Sequence, residues 1–232
     1  MKRSSLVRVM AVAFLVGFAI PSRSAAQTIL SPFQYLEHRQ EVGLLGGSST
    51  VDSGRFGYAP SGGNVFGALY GLELSGPLGL EGVVSLIDTE RDVIDPSRPE
   101  GSRLIGQADQ LLMTVEARLR FSFTGRRMWK RLSPFMAVGG GIVFNAGTDT
   151  GLDATLLPED VFSFGNSFYG TLGLGSRWFL TDRVALRGDG VFSLWKVDTP
   201  PGFSDPARAF EEVEDGEWLP GTAFSLALLW RW

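Results

Sequence analysis

His38 is the only histidine in this 232-residue sequence, and it sits beside Glu37. Hydrolytic chemistry of the serine type needs such a base next to a nucleophile and a carboxylate. No serine or acid around His38 forms a recognisable partner motif, so it reads as an ordinary residue at the start of a strand. No catalytic residue is expected, and the chain is read as a non-enzyme. The sequence contains no cysteine, which excludes a disulfide framework, a thiolate metal site and cysteine redox chemistry. Gly139-Gly140-Gly141 lacks the strand-to-helix context of a nucleotide loop and is better suited to sheet curvature and close interior packing, so no cofactor is expected. Two acidic runs, Asp149, Asp153, Glu159 and Asp160, and Glu211, Glu212, Glu214, Asp215 and Glu217, could offer oxygen ligands to a hard divalent cation. Their spacing matches no calcium-loop pattern. Solvated negative surface is the expectation and no metal site is assigned, with ion bridging to anionic lipid headgroups as the competing use.

A second set of charges lies inside segments that alternate with apolar residues: Glu73, Glu81, Glu116, Arg118, Arg120, Arg177, Arg187, Asp189 and Arg231. The clearest such segment runs from Leu111 to Phe123. There Leu111, Met113, Val115, Ala117, Leu119, Phe121 and Phe123 share one face, and Leu112, Thr114, Glu116, Arg118, Arg120 and Ser122 the other. If the charged face met lipid, each arginine near the bilayer midplane would cost about 2–4 kcal/mol. The charged face is therefore read as interior. Its mixed signs suit a plugged barrel of paired charges; a gated ion path is the other reading.

The elements that must position these residues follow in chain order. A weak first strand spans Arg39 to Ser48, and Asn64 to Leu74 and Leu78 to Asp88 form a hairpin about the turn Ser75-Gly76-Pro77. Leu111–Phe123 follows a loop from Asp88 to Gly106, and a basic connection, Arg126 to Arg131, leads to Pro134–Asn145. The outward face of this strand, like that of the first, is left open. Asn166–Leu180 and Arg183–Val197 flank the turn Thr181-Asp182, and a loop to Trp218 precedes the last strand. In that strand Phe224, Leu226, Leu228, Trp230 and Trp232 lie on one face, against Ala223, Ser225, Ala227, Leu229 and Arg231. Eight strands, joined alternately by long loops and short connections, predict an all-β fold: an eight-stranded antiparallel transmembrane β-barrel of up-and-down topology. Residues 39–232 form the barrel and 27–38 a periplasmic lead-in.

Composition agrees with one exported domain. Lys2, Arg3 and Arg8 precede an apolar run from Val9 to Ile20, and Ser24-Ala25-Ala26 follows, the pattern of a secretory signal over residues 1–26. The run is too short for a membrane helix, which needs about 20 residues. Cleavage after Ala26 removes Lys2, Arg3, Arg8 and Arg23 and no acid, taking 21 basic residues to 17 against 25 acidic, a net of −8. Such a chain is not expected to bind nucleic acid.

The signal sequence, eight alternating strands, the glycine-rich strand middles Gly139-Gly140-Gly141 and Gly173-Leu174-Gly175, and the terminal Trp230-Arg231-Trp232 together resemble the small outer-membrane barrels of the OmpA, OmpX and OmpW kind. The resemblance covers about Arg39 to Trp232 and is one of pattern. It implies a monomer among outer-membrane lipids of a diderm bacterium. It also implies insertion by the barrel-assembly machinery, with Phe224, Leu226, Leu228, Trp230 and Trp232 as the recognition signal. The expected role is structural, in envelope integrity or in surface adhesion through the acidic loops. A narrow channel or hydrophobic-solute conduit is the first alternative, and an exported soluble lipocalin-like ligand-binding barrel with its faces inverted is the second.

Overall fold

The computed structural model describes residues 31–148, 151–205, 208 and 213–232. The signal segment 1–26 lies outside the described residues. The described residues form ten strands: β1 (Phe33–Tyr35), β2 (Gln40–Val51), β3 (Gly63–Glu73), β4 (Leu78–Ile94), β5 (Leu104–Ser122), β6 (Arg127–Trp129), β7 (Leu132–Thr148), β8 (Ser167–Phe179), β9 (Val184–Asp198) and β10 (Gly216–Arg231). The eight long ones each pair antiparallel with their neighbours in the chain. β10 also pairs with β2 from Gly221↔Val51 to Arg231↔Glu41, so the sheet closes into an eight-stranded barrel. Closure leaves no free edge among the long strands.

Period-two alternation decides which residues meet the surroundings. Leu44, Phe224 and Leu226 are the most outward, at 73%, 69% and 74% exposure, whereas Arg120 and Arg177 are fully enclosed at 0%. The apolar face is thus outside and the charged face inside, which overturns the lipocalin-like alternative, where these faces exchange. The two strands whose faces the sequence left open are now assigned. On β2, Val42 and Leu44 point out and Glu41 points in; on β7, Met136 and Val138 point out and Phe135 and Ala137 point in.

Three boundaries differ from the sequence reading. The stretch read as a loop from Asp88 to Gly106 is largely paired strand, with Asp88↔Leu111, Glu90↔Asp109 and Asp92↔Gln107. The outward positions of β4 change there from Val84 and Leu86 to Asp88 and Glu90. Loss of the apolar face marks the end of the lipid-facing band, not the end of the strand. β10 likewise starts at Gly216, inside the segment read as loop. The lead-in is ordered where the structure describes it. β1 pairs with β6, Phe33↔Trp129 to Tyr35↔Arg127, and Leu36 is buried beside Met128, Phe179 and Leu229 at the short-turn end.

Glycine is required at the closing seam. A Cβ on Gly47 would stand 2.1 Å from the Phe224 carbonyl oxygen of β10, closer than any side chain tolerates. No helix among the described residues is long and apolar enough to cross a membrane.

Candidate functional site

The interior is built as layers. The first, toward the short turns, is centred on Arg120 of β5. Its Nη1 donates to Glu41 Oε1 and to Glu81 Oε1, each at 2.5 Å, and its Nη2 to Glu73 Oε1 at 2.6 Å. Arg177 Nη1 donates to Glu73 at 2.7 Å and to Glu41 Oε2 at 3.1 Å, while its Nη2 reaches the Ser122 and Ser133 hydroxyls. Arg187 binds both oxygens of Glu81, at 2.6 and 2.9 Å, and donates through Nε to Asp189 at 2.7 Å. Arg231 lies 3.4 Å from Glu41 and donates to the His38 carbonyl. Phe135 lies under Arg187 and Arg120, and Phe179 under Arg231 and Arg177, at 4.5 to 5.9 Å from ring centroid to guanidinium. Stacked, hydrogen-bonded guanidinium groups are the form in which buried positive charge is tolerated.

Strand register explains how this density is reached. Arg120 and Glu73 both lie across from Gly79 of β4, and Glu41 lies across from Gly71 of β3. A Cβ on Gly71 would meet Glu41 Cγ at 2.8 Å, so glycine clears the room the long side chains fill. Arg177 and Arg187 face each other directly across β8 and β9. Their heads diverge, one to Glu73 and Glu41 and the other to Glu81 and Asp189, which relieves the repulsion of a like-charged cross-strand pair.

A second layer pairs Arg118 with Glu116 through two hydrogen bonds of 2.6 and 2.7 Å. The Tyr169 and Thr171 hydroxyls donate to the same carboxylate. All nine interior charges expected from the sequence are thus placed inside, in two layers. A tenth, Glu41, was missed because its strand is weakened by Gly43, Gly46 and Gly47; its pairing with Arg231 of β10 appears only once the barrel closes. The set balances, with Arg118, Arg120, Arg177, Arg187 and Arg231 against Glu41, Glu73, Glu81, Glu116 and Asp189. Beyond the second layer lies a cavity of about 70 Å³ bounded by residues that include Leu45, Val65, Ile87, Thr114 and Trp195.

The closed eight-stranded barrel has a solved counterpart in fold. No protein-family model and no curated protein matches the sequence. Among solved structures, the outer membrane protein OprG from Pseudomonas aeruginosa superposes with a TM-score of 0.53 at 12% identity, over 86% of this chain and 99% of that one. Neisserial surface protein A aligns over 87% of this chain and 98% of its own (TM-score 0.47, 9% identity), and Escherichia coli outer membrane protein W over 84% and 100% (0.47, 13%). This chain has the fold of a small outer-membrane barrel.

In barrels of this architecture the outward face is the lipid face. Here Phe224, Leu226, Leu228, Trp230 and Trp232, the residues read as the assembly signal, all lie on it, at 47–74% exposure. Trp129, Trp178, Trp230 and Trp232 are exposed near the short-turn end and Trp218 near the other, as interfacial aromatic belts require.

At the long-loop end the barrel mouth is filled. Tyr58, Phe162, Phe164, Phe203 and Leu219 are buried together with Trp195 in one apolar cluster. The Tyr58 hydroxyl lies 3.3 Å from both Thr199 Oγ1 and Glu217 Oε1, and burial pushes the phenol up to about 12. The acidic runs correct both sequence readings in part. Asp153 is buried and paired with the buried Arg91, and Asp160 is buried and paired with Arg208, so these two are neither solvated nor available to a cation. Asp149, Glu211 and Glu212 lie outside the described residues. No group of three histidine or carboxylate side chains among the described residues could hold a metal ion.

Proposed function

We propose that this protein is a non-enzymatic barrel of the bacterial outer membrane, closed to solute flow, which acts structurally or through the surface of its long loops. On this reading the long loops are extracellular and the short turns periplasmic. Residues 1–26 are a cleaved export signal, and the monomer is inserted by the barrel-assembly machinery through the aromatic face of β10. The observation that supports closure is the layer around Arg120. Its guanidinium and those of Arg177 and Arg187 bridge carboxylates from β2, β3, β4 and β9 across the lumen at 2.5–3.1 Å. An eight-stranded barrel has room inside for little more than such side chains, and the apolar cluster of loop residues fills the opposite mouth.

Planar-bilayer recording on the refolded chain tests this. A silent membrane at neutral pH is the expected result, with insertion shown separately by a heat-modifiable gel shift. Reproducible conductance steps would mean that the layer opens, and the narrow channel would replace the closed barrel.

A further inference from the structure

The connection between β6 and β7 breaks a rule of local structure. Trp129 pairs with Leu132, so Lys130 and Arg131 form a two-residue hairpin turn. Both hold left-handed backbone, with φ of 49° and 69°, and they are the two non-glycine residues with positive φ among those described. Two successive left-handed residues make a type I′ turn, for which Asn-Gly is the favoured filling and two long side chains are a costly one. A non-glycine residue held in such a conformation points to a function for its side chain.

The surroundings indicate what that function is. Trp129, Leu132 and Trp178 form a row across β6, β7 and β8 on the outward face, at 45%, 38% and 52% exposure. The Lys130 ammonium lies 5.4 Å from the Trp129 ring centroid, directly over the end of this row. Arg131 is anchored to the next turn, since its Nη1 donates to the Leu180 carbonyl at 3.1 Å and its own carbonyl accepts from the Phe179 amide. Arg127 and Arg126 precede on the same connection and Arg183 lies in the turn that Arg131 touches; Asp182 in that turn and Glu37 are the acids at this end. Cations above an apolar row, at the level of an aromatic belt, match a lipid with a phosphate head and acyl chains.

We propose that the Lys130-Arg131 turn, with Trp129 and Trp178 below it, is a binding site for an anionic phospholipid of the leaflet that meets the short turns. The proposal rests on the outer-membrane reading above. Each basic residue near a membrane surface favours an anionic over a zwitterionic lipid by about fivefold, so two give about 25-fold.

The test is native mass spectrometry of the full mature chain, refolded in detergent and titrated with phosphatidylglycerol or phosphatidylcholine. Phosphatidylglycerol should be retained about 25-fold more tightly. The variant Lys130→Asn/Arg131→Gly suits the turn better and should fold at least as well, yet it should bring the two lipids to near parity. Arg98→Gln/Arg103→Gln removes as much charge from the far end and should leave the preference intact. Equal retention by the natural chain, or a preference that survives Lys130→Asn/Arg131→Gly, would overturn the site. A chain that shows no heat-modifiable shift in any detergent or lipid would instead overturn the outer-membrane reading and the site with it.

Discussion

Replacing Arg120 by methionine keeps most of the side-chain stem and removes one cation from the balanced interior. The barrel then encloses five carboxylates and four guanidinium groups. Glu81 keeps its two hydrogen bonds from Arg187 and Glu41 keeps Arg231 at 3.4 Å, but Glu73 is left with Arg177 alone, which it shares with Glu41 at 2.7 and 3.1 Å. Removing one partner of a buried ion pair costs about 3–5 kcal/mol, because the uncompensated charge stays buried. The folded-to-unfolded ratio should therefore fall by about two to four orders of magnitude, read in urea titrations of the lipid-inserted chain followed by tryptophan fluorescence and gel shift. Adding Glu73→Gln should then restore parity, since Arg177 keeps Glu41 and Arg187 keeps Glu81 and Asp189. A double-mutant cycle over Arg120→Met and Glu73→Gln should show a favourable coupling of about 0.5–3 kcal/mol, the range for residues in one network. If Arg120→Met costs less than about 1 kcal/mol, or if the two substitutions add, the interior is not a charge-balanced network and the argument for closure loses its basis.

Asp153→Asn leaves the buried Arg91 without its anionic partner; the loop from 151 to 166 should loosen, with a loss of about 3 kcal/mol, read as faster cleavage in limited proteolysis. Gly47→Ala puts a methyl group against the Phe224 carbonyl at the closing seam. It should cost about 1–3 kcal/mol, and an unchanged urea midpoint would show that the seam can give way. For Tyr58, a folded-state phenol raised to about 12 means that the neutral form is favoured in the fold. Its stabilising contribution is complete below the ordinary phenol value near 10 and is lost as pH rises through 12. In an ultraviolet alkaline titration Tyr58→Phe should remove part of the late phase, and loss of an early phase instead would place Tyr58 in water.

What the sequence discloses depends on whether a residue's surroundings are local. Arg118 and Arg120 alternate with Leu119 and Phe121 in one uninterrupted strand, so their inward direction follows from the thirteen residues Leu111–Phe123 and the cost of charge in lipid. The aromatic face of β10 is legible for the same reason. Glu41 is different, because Gly43, Gly46 and Gly47 erase the pattern that would orient it, and its partners Arg120, Arg177 and Arg231 come from three other strands. The pairing of β1 with β6 joins segments more than ninety residues apart, each three residues long. The upper reaches of β4 and β5 were obscured by their own chemistry: outside the apolar band, Asp88, Glu90 and Asp92 occupy the outward positions, and a strand charged on its outer face is indistinguishable by composition from a loop. The ion pair Arg91–Asp153 joins strand β4 to a loop and Asp160–Arg208 joins two separate loops, so the acidic runs read as solvated when two of their members are clasped.

Sorting the charges by place gives the net charge a location. With residues 1–26 removed the chain carries −8, but the interior contributes nothing, since five guanidinium groups meet five carboxylates. The short-turn end is basic, with Arg39, Arg126, Arg127, Lys130, Arg131 and Arg183 against Glu37 and Asp182. That end carries +4, and among the described residues toward the long loops six basic residues stand against fifteen acidic ones, a net of −9. The two kinds of charge then answer to different constraints. Interior charges are fixed by one another, because any single change leaves a buried ion unpaired at a cost of several kcal/mol. Exposed loop acids such as Glu214 and Asp215 sit in water, where a change costs little stability but alters the field that a partner meets. Neutralising Glu214 and Asp215 should therefore leave the unfolding free energy in urea within about 0.5 kcal/mol of that of the natural chain, whereas any single change among the interior charges should not.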